Sequence, residues 1–450
     1  MLTGDREEGE LHMRVIRQYI LTGILLMLAG FCRMGSADPC RAAERPLYLY
    51  NGQQAQEVDG EYISEEELYQ TGDTGQIRIG YEDGNIYGEL ARTEFLTSDK
   101  AVVQVDENGV YKVTGGGKAV VTANGYDSEG VRLFSASYCF RCCADVSGAA
   151  LQKTELRTYI INEQAKEYAI AFRNMPDLTY HTFSWTSSYD GMDIECVLDP
   201  KTKTLKIFSG NKGTTTLTIY INNKAFTLKI ITSVVKINKI SAVLTPKKKT
   251  TLKIKGYPDK IKWKTMKKKV ATISSKGVIK AKKTGNTVVY AIVDGQKVGC
   301  AVSVVTTKIK KVISTAKKTA KGKYSQPRRM QKGYYDCSSL VWRSYKKIGK
   351  TFGDRHYAPV AANIAKYLFK KNKRIKGGLN KKNIQGMKLR PGDLMFCTGA
   401  KNGRYKGIYH VEMFVGYQCE GFDSKGKPIL GTLWAARPAN NYFGYPMGRP

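Results

Sequence analysis

Two stretches of the chain repeat one another without a gap. Phe95 to Val110 aligns with Trp263 to Val278 at an offset of 168 residues, and the same offset carries Gly117–Ala123 onto Gly285–Ala291. Each copy holds an aromatic run, a short apolar run, a turn at Asn108-Gly109 or Lys276-Gly277, and then alternating apolar and polar residues. Alternation with a period of two marks half-buried strands, and a glycine-ended turn closes a hairpin. Short strands punctuated by turns predict self-contained β-sandwiches. The middle of the chain reads as a divergent third copy, with Trp185-Thr186-Ser187-Ser188 in the place of the aromatic run and Gly213 to Ile219 in the place of the last strands. Trp185 and Trp263 are expected to anchor sandwich cores, since large aromatics bury most of their surface.

At 450 residues the chain exceeds what one core supports, and about three or four domains are expected. The formal net charge is +34, and it is unevenly spread. Residues 57–110 are acidic, whereas between Ser233 and Val305 the only acids are Asp259 and Asp294. Lys247, Lys248, Lys249, Lys267, Lys268 and Lys269 stand in that stretch, an arrangement that attracts polyanions. Nucleic acid is set aside because the chain carries an export signal. Met13-Arg14-Val15-Ile16-Arg17 is basic, Tyr19 to Phe31 is mostly apolar, and Gly35-Ser36-Ala37 offers small residues for cleavage after Ala37. Met13 is a second candidate start, and an uncleaved membrane anchor is the alternative outcome. Anionic wall polymers are then the expected polyanion. Ten cysteines in an exported chain are able to pair. Cys139, Cys142 and Cys143 lack further ligands at metal-binding spacing, so they read as a disulfide or as buried thiols, and no metal or cofactor is expected.

The chemistry is placed in Tyr334-Tyr335-Asp336-Cys337-Ser338-Ser339-Leu340-Val341-Trp342. Cys337, Leu340, Val341, Tyr345 and Ile348 recur at helical spacing, with Asp336 as a good N-cap, so Cys337 falls in the first turn of a helix. The positive end of a helix dipole favours thiolate there. A base is needed, and only His356 and His410 lie beyond residue 300. His410 sits in a strand-like run, 73 residues after Cys337. His356 lies in Gly353-Asp354-Arg355-His356-Tyr357, a loop between helices, and is the weaker candidate. Further helices are expected over Val312–Ala316 and around Ala358–Phe369, and a basic polar loop over 370–388.

A helix opened by cysteine, followed by antiparallel strands carrying histidine, is the order of a papain-like domain. Residues 306–450 resemble the NlpC-type cell-wall cysteine peptidases through Asp336-Cys337-Ser338-Ser339-Leu340-Val341, Pro391-Gly392-Asp393-Leu394, His410-Val411-Glu412-Met413-Phe414-Val415-Gly416 and the upstream run from Ala316 to Tyr324. The run Val270-Ala271-Thr272-Ile273, Gly277-Val278-Ile279-Lys280-Ala281 and Thr284-Gly285-Asn286-Thr287 resembles bacterial Ig-like domains of group 2, which serve as spacers or adhesion modules. The organisation implied is multidomain. A signal peptide covers 1–37. Tandem Ig-like β-sandwich domains follow at 41–145, 150–232 (divergent) and 233–305. An α+β papain-like NlpC-type domain spans 306–450.

The resemblance implies hydrolysis of peptidoglycan stem peptides, at the γ-D-glutamyl–diamino acid bond, by a Cys337–His410 mechanism. It assigns stem-peptide binding to Asp336, Ser338 and Tyr324. Ser339 stands where the family has glycine, which narrows the approach to the thiol. The family orients its histidine with a polar residue on the following strand. Ile429–Ala436 offers none, leaving Asn440, Asn441, a carbonyl or water. A Cys/His amidase cutting the sugar–peptide junction and a surface adhesin with a degenerate terminal domain are the competing functions.

Overall fold

The computed structural model describes residues 47–50, 56–58, 61–63, 67–80, 90–400, 402–436 and 443–450. The expected export signal and both Asn440 and Asn441 lie outside the described residues. Among the described residues, no helix is long and apolar enough to cross a membrane.

Three β-sandwiches stand in tandem, followed by an α+β unit. In the first, a sheet of Leu47–Tyr50, Thr74–Gly80, Val110–Val113 and Val103–Val105 packs on a sheet of Leu68–Gln70, Arg132–Cys143, Gly117–Tyr126 and Arg92–Thr97. Leu49, Ile77 and Tyr111 from one sheet meet Tyr69, Phe140 and Val121 from the other. Cys139, Cys142 and Cys143 are buried in this module. Burial, and then neighbouring Cys143, pushes the Cys142 thiol up to about 12.

The repeat is written into strand register. Phe95 pairs with Ala123, and 168 residues later Trp263 pairs with Ala291. Trp185 pairs with Ile219 at the matching place in the divergent module. Gly109 and Gly277 adopt φ of +74° and +76°. A Cβ at Gly109 would lie 2.8 Å from the Phe95 ring, and one at Gly277 3.3 Å from the Trp263 ring. Glycine is therefore required for both backbone hand and ring packing. Trp185 and Trp263 are partly buried and pack against their module cores.

In the third module, β1 (Gly285–Val293) and β2 (Gln296–Val304) are adjacent antiparallel strands. The C-terminal unit opens with α1 (Thr307–Thr319), α2 (Cys337–Lys346) and α3 (Ala361–Lys370). Then come β3 (Arg374–Ile375), α4 (Lys381–Gln385), β4 (Leu394–Thr398), β5 (Ile408–Phe422), β6 (Pro428–Trp434) and β7 (Met447–Gly448). The sheet order is β3-β7-β4-β5-β6. The short strand and helix at 374–385 occupy what the sequence reads as a loop, because the Asn380 side chain accepts from the Asn383 N–H and caps α4.

Alternation along β4 builds two cores. Leu394 and Phe396 meet Val312, Ile313, Leu340, Val341 and Ile364 of the three longer helices. Met395 and Cys397 join a second core that also takes Val288 and Ala301 of the third sandwich. Asn286, at the start of β1, donates through Nδ2 to the carbonyls of Met387 (3.1 Å) and Leu389 (2.8 Å). The Cys419 N–H donates to the Ile240 carbonyl at 2.9 Å. The third sandwich is thus not self-contained, contrary to expectation, because it completes one face of the C-terminal sheet.

Separating the two should expose that face. A fragment of 306–450 should melt well below a fragment of 233–450 and bind a hydrophobic dye. Asn286→Ala in the longer fragment should cost about 1–3 kcal/mol, since two buried carbonyls lose their donor. Equal melting temperatures for the two fragments would contradict the shared core.

Candidate active site

Cys337 is the first residue of α2, and its position is fixed by Asp336. The Asp336 side chain accepts from the Ser339 N–H at 2.7 Å through Oδ1, while the Asp336 N–H donates to Ser339 Oγ at 2.9 Å. This reciprocal pair is a capping box with serine in the place of the usual Glu or Gln. Ser339 is fully buried and spends its hydroxyl on the cap, so it does not narrow the approach to the thiol as expected. Arg329 Nη1 reaches Asp336 Oδ2 at 3.0 Å, its Nη2 donates to the Ala358 carbonyl, and Ser338 Oγ donates to Asp336 Oδ1 at 3.2 Å. Asp336 and Ser338 keep only 3% and 1% of their surface exposed. The structure does not bring these two into the cleft as substrate binders. They hold the helix start.

His410, near the start of β5, lines the same cavity as Cys337 and interacts with its thiol. Its Nε2 stands 2.6 Å from Glu412 Oε1. Residues two apart on a strand project to the same side, so His410 and Glu412 share a face. With Nε2 donating to Glu412, Nδ1 is the nitrogen left for the thiol. The His410 and Glu412 side chains are 12% and 4% exposed. Burial alone lowers the imidazole pKa, but the Cys337 and Glu412 hydrogen bonds and charges outweigh it and raise the group to about 9.

Tyr324 completes the cleft. Lys323–Tyr324 pairs in parallel with Tyr334–Tyr335, setting Tyr324 beside Tyr335 two residues before Cys337. Tyr324 stands beside Cys337 and interacts with both its backbone N–H and its thiol. Burial, and then the charge on Cys337, pushes its pKa up to about 12, so it remains a donor at neutral pH. Tyr324, Tyr335, Cys337, His410 and Glu412 line a cavity of about 360 Å³. His356 is exposed, away from this cavity, with its N–H donating to Asp354 Oδ1 at 2.8 Å. Glu412 is the residue missed by sequence reasoning. The signal was the spacing of His410 and Glu412 by one residue within a strand-like apolar run.

No protein-family model matches the chain, and no curated protein matches it. Among solved structures it is similar to invasin, a bacterial integrin-binding protein, at 12% identity and a TM-score of 0.29, over 48% of this chain and 52% of that one. It is similar to Drosophila N-cadherin EC1-3 at 12% identity and a TM-score of 0.16, over 59% of this chain and 100% of that one. It is also similar to domains 1–6 of the surface layer protein SbsC at 14% identity and a TM-score of 0.15, over 50% and 37%. The chain spans about half the length of invasin.

Two outcomes follow from this geometry. The raised His410 pKa means that its charge-linked stability is complete below the unfolded value near 6.5 and is lost as pH rises through about 9. Glu412→Gln removes an anionic acceptor and should move that loss to lower pH by about 1 unit, read from melting temperature against pH. An unchanged profile would mean that Glu412 does not hold the ring. Separately, Arg329→Ala leaves Asp336 buried without its cation and should destabilise the protein by about 3–5 kcal/mol in chemical denaturation. A loss within about 0.5 kcal/mol, the size of an ordinary surface change, would contradict the bridging role.

Proposed function

We propose that the C-terminal unit is a papain-like, NlpC-type cysteine peptidase that hydrolyses peptidoglycan stem peptides outside the cell. The sandwiches are then bacterial Ig-like modules that space it from its anchorage. One observation carries this reading: a thiol in the first turn of α2 shares a cavity with a histidine whose Nε2 is held by a buried carboxylate.

The mechanism uses these groups in sequence. Cys337 Sγ, with its proton on His410 Nδ1, attacks the scissile carbonyl carbon. The oxyanion is met by two donors beside the thiol, the Cys337 N–H and the Tyr324 hydroxyl. His410 gives its proton to the departing amine, leaving a thioester on Cys337. Water then enters, His410 takes its proton, and the acid is released with the thiol restored. Glu412 keeps the ring oriented and favours the imidazolium throughout. Stem-peptide recognition falls to Tyr324 and Tyr335, which line the cavity, because Asp336 is engaged by Arg329.

The test uses a soluble muropeptide, the stem peptide with its sugar still attached, and full-length protein, with products read by mass spectrometry. Wild type should release a fragment with a new amino terminus on the diamino acid. Cys337→Ala should abolish turnover while keeping its melting transition. Turnover retained in Cys337→Ala would overturn the peptidase reading. Release of an intact peptide from the sugar would replace it with the amidase.

A further inference from the structure

A second cleft, of about 690 Å³, lies in the C-terminal unit and is built from cations. Lys373, Arg374 and Lys376 come from β3 and its flanks, Lys382 from α4, Lys388 from the loop before β4, and Arg449 follows β7. Among the described residues no acid lines the cleft, and residues 355–392 contain neither Asp nor Glu. Arg449 is already neutralised by a bidentate contact to Asp393, with Nε to Oδ1 and Nη2 to Oδ2 both at 2.8 Å. The other five side chains are exposed and their charges are not offset within the cleft. Cations held together without counter-charge repel one another, and an anion relieves that repulsion.

The cleft is separate from the catalytic cavity. On β4, Leu394 pairs with Gly448, next to Arg449, whereas Cys397 pairs with His410. The two sites therefore sit toward opposite ends of β4, about 10 Å apart along the strand alone.

We infer that this cleft binds a polyol-phosphate polymer, with successive phosphates meeting successive lysines. A single phosphate is too small an occupant, because Lys373 and Lys376 alone are separated by about 10 Å of extended chain. Single-stranded nucleic acid needs aromatic faces for its bases, and among the described residues no aromatic lines the cleft. A lipid surface needs exposed apolar side chains, and Ile375 is the only large apolar side chain in the lining, itself partly buried. The polymer would anchor the C-terminal unit without entering the cavity at Cys337. The inference does not depend on the peptidase reading.

Binding of full-length protein to poly(glycerol phosphate) by calorimetry tests it, across a salt series. Lys373→Gln/Lys382→Gln/Lys388→Gln is compared with Lys247→Gln/Lys248→Gln/Lys249→Gln in the third sandwich, and both variants are checked by thermal melting. The cleft variant should bind at least about tenfold more weakly, and the slope of log affinity against log salt should flatten by about 2 to 3, the counterions no longer released. The sandwich variant should bind like wild type. Three results would overturn the inference: no binding of the polymer by wild type, equal losses in the two variants, or equally tight binding of single-stranded DNA or anionic vesicles with the same dependence on the three lysines. Should the cleft variant fail to fold, Lys382→Gln alone replaces it, with a slope change of about 1 expected and no change taken as refutation.

Discussion

The site depends on the buried contact between Asp336 and Arg329. A thiol at a helix start is useful only if that start is fixed, and Asp336 fixes it from three directions. It caps the amide of Ser339, accepts from Ser338 and pairs with a guanidinium that in turn grips Ala358 ahead of α3. The carboxylate is 3% exposed, so its charge is sustained by these partners rather than by water. Cys337, one residue on, inherits that rigidity. The thiol's side of the cavity is thus held in place.

On the base's side, rigidity comes from the sheet. His410 is carried by β5, which is paired with β4 and β6 and covered on both faces. Helices close one face, while the other is closed by the third sandwich through Val288, Ala301 and the Asn286 amide. A module whose repeat reads as a self-contained sandwich is thereby part of the framework on which the histidine is positioned. The linkage also runs backward along the chain. Tyr168 of the second sandwich donates to Asp294 at 2.6 Å, and Lys166 reaches the same carboxylate at 2.7 Å. One of the two acids in the lysine-rich stretch is thus committed to a contact between modules.

Much of this was legible in the residues, and the failures have physical causes. The sandwich register was readable because Phe95, Gly109 and Ala123 recur as Trp263, Gly277 and Ala291, and each position answers a packing demand. The placement of Cys337 was readable from apolar spacing and an N-cap. Glu412 was missed because the orienting group was sought on the next strand, although a period of two sets His410 and Glu412 side by side. Ser339 was read against glycine as bulk, whereas its hydroxyl completes the cap. The N-cap role of Asp336 was readable, but sequence does not reveal that Arg329, seven residues earlier, folds back onto its carboxylate. The dependence of the third sandwich on its neighbour was invisible because apolar residues on a strand look alike whether they face their own module or another.

The central claim is that Cys337, His410 and Glu412 act as one unit, and the ring of His410 reports on it directly. The chain has four histidines, so the His410 imidazole can be assigned by substitution and titrated by NMR. In the wild type it should titrate at about 9, raised against its burial by Cys337 and Glu412. In Cys337→Ala it should fall toward the ordinary value near 6.5, because the thiol supplies the largest of the raising contributions. A His410 ring titrating near 6.5 in the wild type, unmoved by removal of the thiol, would contradict the account.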